Sequence, residues 1–244
     1  PTGSGKTTTL YSLMKHVHSP EKNLVTVEDP IEYQIEGINQ VTARAETGLT
    51  FASALRSILR QDPDVIMIGE IRDFDTVDIA IKSALTGHLV LSTLHTTTAP
   101  GSVVRLINMG CEPFLISASL VAIIAQRLIR KLCPKCREVY KPGEVLCAKL
   151  GININDFGKD ISFYRAKGCA ACLKTGYSGR VGICEVLTMT PVIRDLVLKR
   201  ARENEVKHTA RSEGMRTLRE DGIAKVLAGF TSLEEVLRVT VQDE

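Results

Sequence analysis

Short uninterrupted hydrophobic runs recur along the first half of the chain, at residues 24–27, 65–68 and 89–91. Each run is bounded by polar residues or glycine. Runs of this length without polar alternation are typical of strands buried on both faces of a parallel sheet. They therefore predict at least three buried parallel strands.

Apolar residues three and four positions apart predict helices between these strands. The predicted buried stripes contain Leu10, Leu13, Met14 and Val17, then Ala54, Leu55, Ile58 and Leu59, then Val77, Ile81, Ala84 and Leu85. Asp73 is placed to cap the third of these helices. Alternating strands and helices predict an α/β fold with helices around a mainly parallel sheet.

The remaining segments have weaker patterns. Residues 33–48 predict a β-turn-β excursion, and residues from about 99 to 128 predict helices interrupted near Gly110 and Pro113. From Pro191 onward the pattern is helical again. Residues 231–235 predict the cap of a last amphipathic helix, whose apolar face includes Val241. We expect three consecutive domains: a nucleotide-binding core (1–130), a cysteine module (131–184) and a C-terminal helical region (185–244).

Composition narrows the class of protein. The 244 residues are 44% hydrophobic and 24% charged, as in ordinary globular proteins. The formal net charge of +3, the 5% aromatic content and the absence of Trp argue against a platform for single-stranded nucleic acid. No apolar run reaches the roughly 18 residues of a membrane span. Seven cysteines, four of them in two C-x-x-C pairs, favour a reducing cytoplasm and a metal over disulfides.

The chain opens with PTGSGKTTT, a phosphate-binding loop G-x-x-x-x-G-K-[ST] whose first glycine would precede residue 1. An upstream N-terminal domain is therefore expected. Lys6 suits the β- and γ-phosphates of ATP, and the hydroxyl of Thr7 suits Mg²⁺. The following helix adds its N-terminal partial charge. The candidate nucleotide-binding residues are Thr2, Gly3, Ser4, Gly5, Lys6, Thr7 and Thr8.

Polar residues follow each predicted strand, where ligands bind in open α/β sheets. Glu70 follows the second strand in a Walker B pattern whose usual metal-holding Asp position is Gly69. Glu70 is therefore a candidate for the metal's water shell or the attacking water, and Glu32 is a second candidate for positioning that water. His95 follows the third strand and could hold the γ-phosphate. His88, just before that strand, is equally compatible with a structural role.

Two C-x-x-C pairs 32 residues apart can close a tetrahedral site around Zn²⁺. Their ligands would be Cys133, Cys136, Cys169 and Cys172. An iron–sulfur cluster stays open as a less favoured alternative. The site would be structural, since cysteines fill all four positions.

Together these motifs resemble the secretion ATPases that power type II secretion and type IV pilus assembly. The resemblance includes the Walker A segment PTGSGKTTTL, the Asp box VTVEDPIEY, the Walker B segment RQDPDVIMIGEIRD and the His box TGHLVLSTLHT. It continues through AQRLIRKLCPKC and GRVGICEV to TSLEEVLRVT, near the end of the chain. By motif position, the resemblance implies catalytic roles for Glu32, Glu70 and His95.

The resemblance also implies properties that the residues alone do not establish. It implies a RecA-like core and a homo-hexameric ATPase that acts at the cytoplasmic face of the inner membrane, attached peripherally through a platform protein. The motor would drive the polymerisation of pilins or pseudopilins. The four-cysteine insertion favours the assembly and secretion branch over the retraction branch.

Four arginines gain interest from the resemblance. Helical arginines are usually solvated, but the family implicates the matching positions in nucleotide response or ring contacts. These residues are Arg56, Arg60, Arg72 and Arg105. Two other functions stay open from the residues themselves: a nucleic-acid translocase, opposed by the scarce aromatics and the lack of a long basic stripe, and a nucleotide-binding scaffold without turnover, opposed by intact Lys6, Glu32 and Glu70.

Overall fold

The computed structural model describes residues 2–153 and 162–240. Pro1 of the phosphate-binding loop and Val241 of the last predicted helix lie outside the described residues. The chain forms two compact units. The sheet unit contains residues 6–123 and 187–213, and the cysteine unit contains residues 1–5, 124–186 and 214–244.

The sheet unit is built on four parallel strands, β1 (Leu24–Glu28), β2 (Asn39–Thr42), β3 (Val65–Ile68) and β4 (Leu89–Ser92). Their order is β2-β1-β3-β4, with Leu24 opposite Val65 and Val65 opposite Leu89. The predicted parallel sheet is confirmed, but β4 is not buried as predicted, since Leu89 is 44% exposed. Residues 33–48 contribute one strand, β2, rather than the predicted pair, because β2 pairs in parallel with β1 instead of folding back on a neighbour.

Seven helices of the described residues belong to the sheet unit. They are α1 (Lys6–Val17), α2 (Phe51–Ile58), α3 (Phe74–Leu85), α4 (Ala99–Asn108), α5 (Pro113–Ser119), α7 (Pro191–Leu198) and α8 (Glu203–Ser212). Asp73 caps α3 as predicted, since its side chain accepts from the backbone N–H of Thr76 at 2.8 Å. No helix of the described residues is long and apolar enough to cross a membrane.

Alternating residues of the central strands face two hydrophobic clusters, one on each side of the sheet. Val27 and Ile68 point to one side, where they pack with residues of α2 and α3. Leu24 and Met67 point to the other side, where they pack with Leu10, Tyr11 and Met14 of α1. This burial fixes α1 directly against β1 and β3.

Within residues 2–5, 124–153, 162–186 and 214–240, the cysteine unit contains two small sheets and three α-helices. Its elements are β5 (Ala122–Leu132), β6 (Glu138–Tyr140), α6 (Glu144–Leu150), β7 (Phe163–Arg165), β8 (Tyr177–Thr188), α9 (Leu218–Leu227) and α10 (Leu233–Val239). Strand β5 pairs with β8, and β6 pairs antiparallel with β7. Ser232 caps α10, as the sequence predicts, by accepting from the backbone N–H of Glu235.

The prediction of helix up to about residue 128 was wrong, because β5 begins at Ala122. The buried residues of β5, Ala125, Ile129 and Leu132, are spaced four and three apart. That spacing is helical, so the apolar pattern alone favours the wrong element. The β-branched segment instead forms a strand because β8, distant in sequence, provides a pairing edge.

The compact units alternate along the chain. Residues 187–213 group with the sheet because α7 and α8 contact α5 and α4. The described residues from 214 onward group with the cysteines because α10 contacts α6 and α9 contacts β7. The three consecutive domains expected from the sequence stay a prediction.

The carboxylate of Glu235, fully buried on α10, anchors the cysteine unit. It accepts hydrogen bonds from the backbone and guanidinium of Arg130 on β5 and from Arg238 on its own helix, at 2.7–3.0 Å. Burial alone would raise the pKa of this carboxyl group, but the bonds from Arg238 and Arg130 outweigh burial and hold the pKa at about 2. Glu235 therefore stays ionised in the folded protein and ties α10 to β5.

We expect Glu235→Gln to lower the free energy of unfolding by roughly 2 kcal/mol at neutral pH, because it removes a buried, hydrogen-bonded charge. The folded pKa lies below the ordinary value of 4.5. The loss should therefore be complete above pH 4.5 and should shrink as the pH falls toward about 2. Urea unfolding followed by circular dichroism at several pH values measures both effects.

The matched control is Glu234→Gln, an identical change at an exposed neighbour that accepts a 3.0 Å hydrogen bond from Tyr140. It should alter stability by no more than about 0.5 kcal/mol. Two results would contradict the role of ionised Glu235 in holding α10 to β5. One is an equal loss of unfolding free energy in both variants, and the other is a loss in Glu235→Gln that does not depend on pH.

Candidate functional site

The phosphate-binding loop ends where α1 begins, at Lys6. Gly3 and Gly5 have φ angles of 74° and 87°, in the left-handed region that favours glycine. A Cβ atom on Gly5 would also lie 2.8 Å from the side-chain nitrogen of Gln126, which itself donates to the carbonyl of Ser4 at 2.8 Å. The loop thus requires glycine for both its backbone angle and its close packing.

The loop carries an unused polar group. The hydroxyl of Ser4 is buried and has no hydrogen-bond partner among the described residues. A buried hydroxyl without a partner is costly, and a ligand oxygen would remove that cost. This feature and the left-handed glycines fit the residues to a phosphate group.

The carboxyl ends of β1, β3 and β4 meet at one edge of the sheet. The N–H of Gly69 donates to the carbonyl of Val27 at 2.8 Å, and the N–H of Ile71 donates to the carbonyl of Thr93 at 3.0 Å. The hydroxyl of Thr93 donates in turn to the carbonyl of Gly69 at 2.7 Å. Gly69 lies so close to β1 that a Cβ atom there would be 3.3 Å from the Val27 oxygen. These bonds hold the residues that follow β3 and β4 side by side.

Glu70, His95 and Arg72 form one cluster at this edge. The Nε2 atom of His95 lies 2.9 Å from one carboxylate oxygen of Glu70, and Arg72 donates to the other oxygen. The carboxylate is 17% exposed, whereas the side chains of His95 and Arg72 are more than half exposed. The Glu70 carboxylate is thus held from two sides and remains accessible to a small molecule.

Charge in the cluster favours an ionised Glu70. The hydrogen bond from Arg72 lowers the pKa of Glu70. Burial acts in the opposite direction and raises this pKa, whereas the hydrogen bond to His95 lowers it further. A carboxylate with a lowered pKa is a weak base. It suits the orientation of a water molecule more than the early removal of its proton.

Other predicted residues lie outside this cluster. Glu32 is exposed in the loop after β1. Of the four arginines, only Arg72 contacts Glu70 in the described part of the chain. Arg60 bends back to donate to the Arg56 carbonyl at 2.8 Å, and Arg105 is exposed on α4. The functional roles of these residues stay predictions.

His88 has a structural partner. Its Nδ1 atom lies 2.9 Å from the carbonyl of Ser83, near the end of α3. Because a carbonyl can only accept, this nitrogen carries the proton. The ring therefore satisfies a terminal carbonyl of the helix.

Four cysteine sulfurs gather in the cysteine unit. The Sγ atoms of Cys133, Cys136, Cys169 and Cys172 all lie within 4.8 Å of one another. The Cys172 sulfur lies 3.8 Å from the sulfurs of Cys136 and Cys169. It accepts backbone N–H bonds from Cys169 and Gly176, both at 3.2 Å, which lower the pKa of Cys172 to about 6. The four sulfurs could hold a metal ion.

Sequence reasoning missed the buried carboxylate of Glu28, which ends β1 and is 3% exposed. It also missed its partner Tyr11, which is fully buried on α1. A signal was present, because Glu28 directly extends an apolar strand. The sequence motifs assigned a function to Glu32, four residues later, and none to Glu28.

The chain is similar over nearly its whole length to proteins of bacterial secretion and pilus machines. A family model described as "Type II/IV secretion system protein" matches residues 1–238. The chain is 50% identical over 243 residues to the type II secretion system protein E of Pseudomonas aeruginosa, covering 100% of this chain and 48% of that protein. It is 48% identical over 242 residues to the type IV pilus assembly ATPase PilB of Thermus thermophilus, covering 99% and 27%. The chain thus spans less than half the length of these two relatives.

Solved structures share the fold. The crystal structure of the pilus retraction motor PilT with bound ADP matches with a TM-score of 0.70 and 28% identity, over 99% of this chain and 60% of that one. The ATPase DotB of Legionella pneumophila matches with a TM-score of 0.67 over 98% of this chain and 57% of that one. Its 23% identity supports likeness of fold alone. These matches, the parallel sheet and the four-cysteine cluster confirm the predicted fold class.

Proposed function

Because this chain belongs to the family of type II/IV secretion system proteins, we propose that it is the ATP-hydrolysing part of a secretion or pilus-assembly motor. The cluster of Glu70, His95 and Arg72 at the carboxyl edge of the sheet is the observation that carries this proposal. A scaffold that only bound nucleotide would not need an ionised, accessible carboxylate there. The chain's relatives include both type II secretion proteins and PilB ATPases, so either machine is compatible with it.

The chemistry assigns a task to each residue. The loop from Thr2 to Gly5 and the side chain of Lys6 would bind the phosphates, with Thr7 as a ligand for Mg²⁺. The metal would neutralise charge on the phosphate oxygens. Glu70 would accept a hydrogen bond from the attacking water and so aim its oxygen at the γ-phosphorus. That water proton would leave with the phosphate product, as fits a carboxylate of lowered pKa.

Two side chains would support this step. His95 holds one oxygen of Glu70 and could turn its ring toward the γ-phosphate. Arg72 holds the other oxygen on an exposed side chain that could reach the phosphate. Arg56, Arg60 and Arg105 are exposed and are proposed to contact a neighbouring subunit.

The whole motor would be a homo-hexamer attached peripherally to the cytoplasmic face of the inner membrane. Its hydrolysis would drive a platform protein and so the polymerisation of pilins or pseudopilins. The type II secretion and pilus-assembly names of the relatives support this assignment, and the four-cysteine module supports the assembly branch.

The cysteine cluster is proposed to hold one structural Zn²⁺. With zinc–sulfur bonds of about 2.3 Å, tetrahedral ligands are about 3.8 Å apart. The Cys172 sulfur lies 3.8 Å from the sulfurs of both Cys136 and Cys169. The two N–H groups that bond the Cys172 sulfur would also stabilise its thiolate form.

The first test is phosphate release from ATP by the full-length protein and its Glu70→Gln variant, at concentrations where a ring can form. Turnover should fall by roughly a hundredfold or more in the variant, because neutral Gln orients the water poorly. ATP binding, measured with a fluorescent analogue, should persist. Glu46→Gln, an identical change at an exposed residue, should keep full turnover.

Unchanged turnover in Glu70→Gln would transfer the role to Glu32. A wild-type protein without turnover, even with membranes and a platform protein added, would favour the scaffold. Salt-dependent DNA binding that stimulates turnover would favour a nucleic-acid translocase.

The zinc prediction is tested by the metal content of the purified protein. We expect about one zinc per chain and its loss in Cys172→Ser, with a lower melting temperature after chelation. Cys184→Ser is the matched control, since Cys184 lies outside the cluster, and it should retain the metal. Iron with visible absorption would instead establish an iron–sulfur cluster, and no bound metal in the wild type would overturn the assignment.

A further inference from the structure

Glu28 is a buried carboxylate that the proposed reaction does not use. One of its oxygens accepts from the hydroxyl of Thr26 at 2.6 Å and from the side-chain amide of Gln40 at 3.0 Å. The other accepts from the hydroxyl of Tyr11. A buried carboxylate is costly unless hydrogen-bonded, so all three donors serve to keep it in place.

Tyr11 connects this carboxylate to the phosphate-binding helix. It lies on α1, five residues after Lys6, and its ring is completely buried. While its hydroxyl donates to Glu28, it accepts the backbone N–H of Glu32 at 3.3 Å. Burial, and then the bond to Glu28, raise the pKa of Tyr11 to about 12, so the phenol keeps its proton and remains a donor.

Gln40 holds the other end of the same loop. While its amide N–H₂ donates to Glu28, it also donates to the carbonyl of Tyr33 at 3.2 Å. Its side-chain oxygen accepts the N–H of Ile35 at 2.7 Å. Three backbone groups of residues 32–35 are thus fixed to Glu28 through only two side chains.

Packing alone does not require this arrangement. The cluster around Tyr11 is otherwise apolar, with Leu10, Met14, Leu24 and Met67. Apolar residues at all four positions of the network (11, 26, 28 and 40) could fill the same space without burying hydrogen-bonding groups, and such joint replacements can be neutral or stabilising. The hydrogen-bond network instead fixes the position of the Glu32 loop relative to α1.

We propose that Glu28 is a positioning residue: through Tyr11 and Gln40 it sets the Glu32 loop against the helix that begins at Lys6. Glu28 and Tyr11 do not touch the reacting atoms. They act on Glu32, whose carboxylate is exposed and has no role in the fold that the described contacts reveal. The inference rests on the proposed ATP hydrolysis, and it makes Glu32 useful only when this network is intact.

The test uses Tyr11→Phe in the full-length protein, because this change keeps the ring and removes only the hydroxyl. Turnover (kcat) should fall roughly tenfold through misplacement of the loop. The KM for ATP should change less than about twofold, since the phosphate-binding loop is untouched. Glu28→Gln should behave similarly.

Tyr140→Phe is the matched control, because it removes another phenol hydrogen bond to a glutamate, that from Tyr140 to Glu234 at 3.0 Å. It should leave kcat and KM unchanged. A general loss of stability at position 11 would instead appear as a lower melting temperature together with a raised KM.

A double-mutant cycle supplies the decisive readout. If Tyr11 acts through Glu32, Tyr11→Phe should cost little further turnover in a Glu32→Gln background. The inference would be overturned if the double variant lost turnover by the product of the two single-variant losses. Full turnover in Tyr11→Phe would also overturn it. The Glu70→Gln variant in the same assay tests the proposed function separately. If the wild type is active and its turnover depends on Glu70, the proposed function is supported for any result of the double-mutant cycle.

Discussion

Hydrogen bonding between the carboxyl ends of β1, β3 and β4 is the constraint on which the candidate site depends. The bonds from Gly69 to Val27 and from Thr93 to Gly69 continue the sheet one step beyond its strands. Two stretches from distant parts of the sequence are thereby held side by side. Only this register brings His95 to within 2.9 Å of Glu70.

Two carboxylates that differ in burial lie at this edge of the sheet. Glu28 is buried and accepts hydrogen bonds from three donors, whereas Glu70 is partly exposed and is bound by two exposed side chains, those of Arg72 and His95. A buried, fully bonded carboxylate can define geometry but cannot reach a substrate. A partly exposed carboxylate can meet a water molecule, and its partners remain able to move. The difference in burial therefore suits Glu28 to positioning and Glu70 to the proposed chemistry.

The sequence predicted β1, β3 and β4 because these strands lie in uninterrupted apolar runs, whereas β2 contains Asn39 and Gln40 and was predicted only as part of a β-turn-β excursion. It predicted β5 wrongly because Ala125, Ile129 and Leu132 follow helical spacing, and the pairing with β8 depends on a segment about 50 residues away. Glu70 and His95 could be proposed from motifs. The link between Tyr11 and Glu28 could not, because a tyrosine in a helical stripe looks like any other core residue.

The two proposed sites in the chain differ in what their ligands would do. The cysteine sulfurs are preassembled at separations that suit a tetrahedral metal, and no position is left open for a substrate. In the phosphate-binding loop the buried hydroxyl of Ser4 instead has no hydrogen-bond partner within the part of the chain that the structure describes, and the side chains that hold Glu70 are exposed. A closed site gains stability from its ion, whereas an open site leaves part of its hydrogen bonding for the substrate. The second condition is the one that the proposed motor would need, since each round of binding and release must change the energy of the protein.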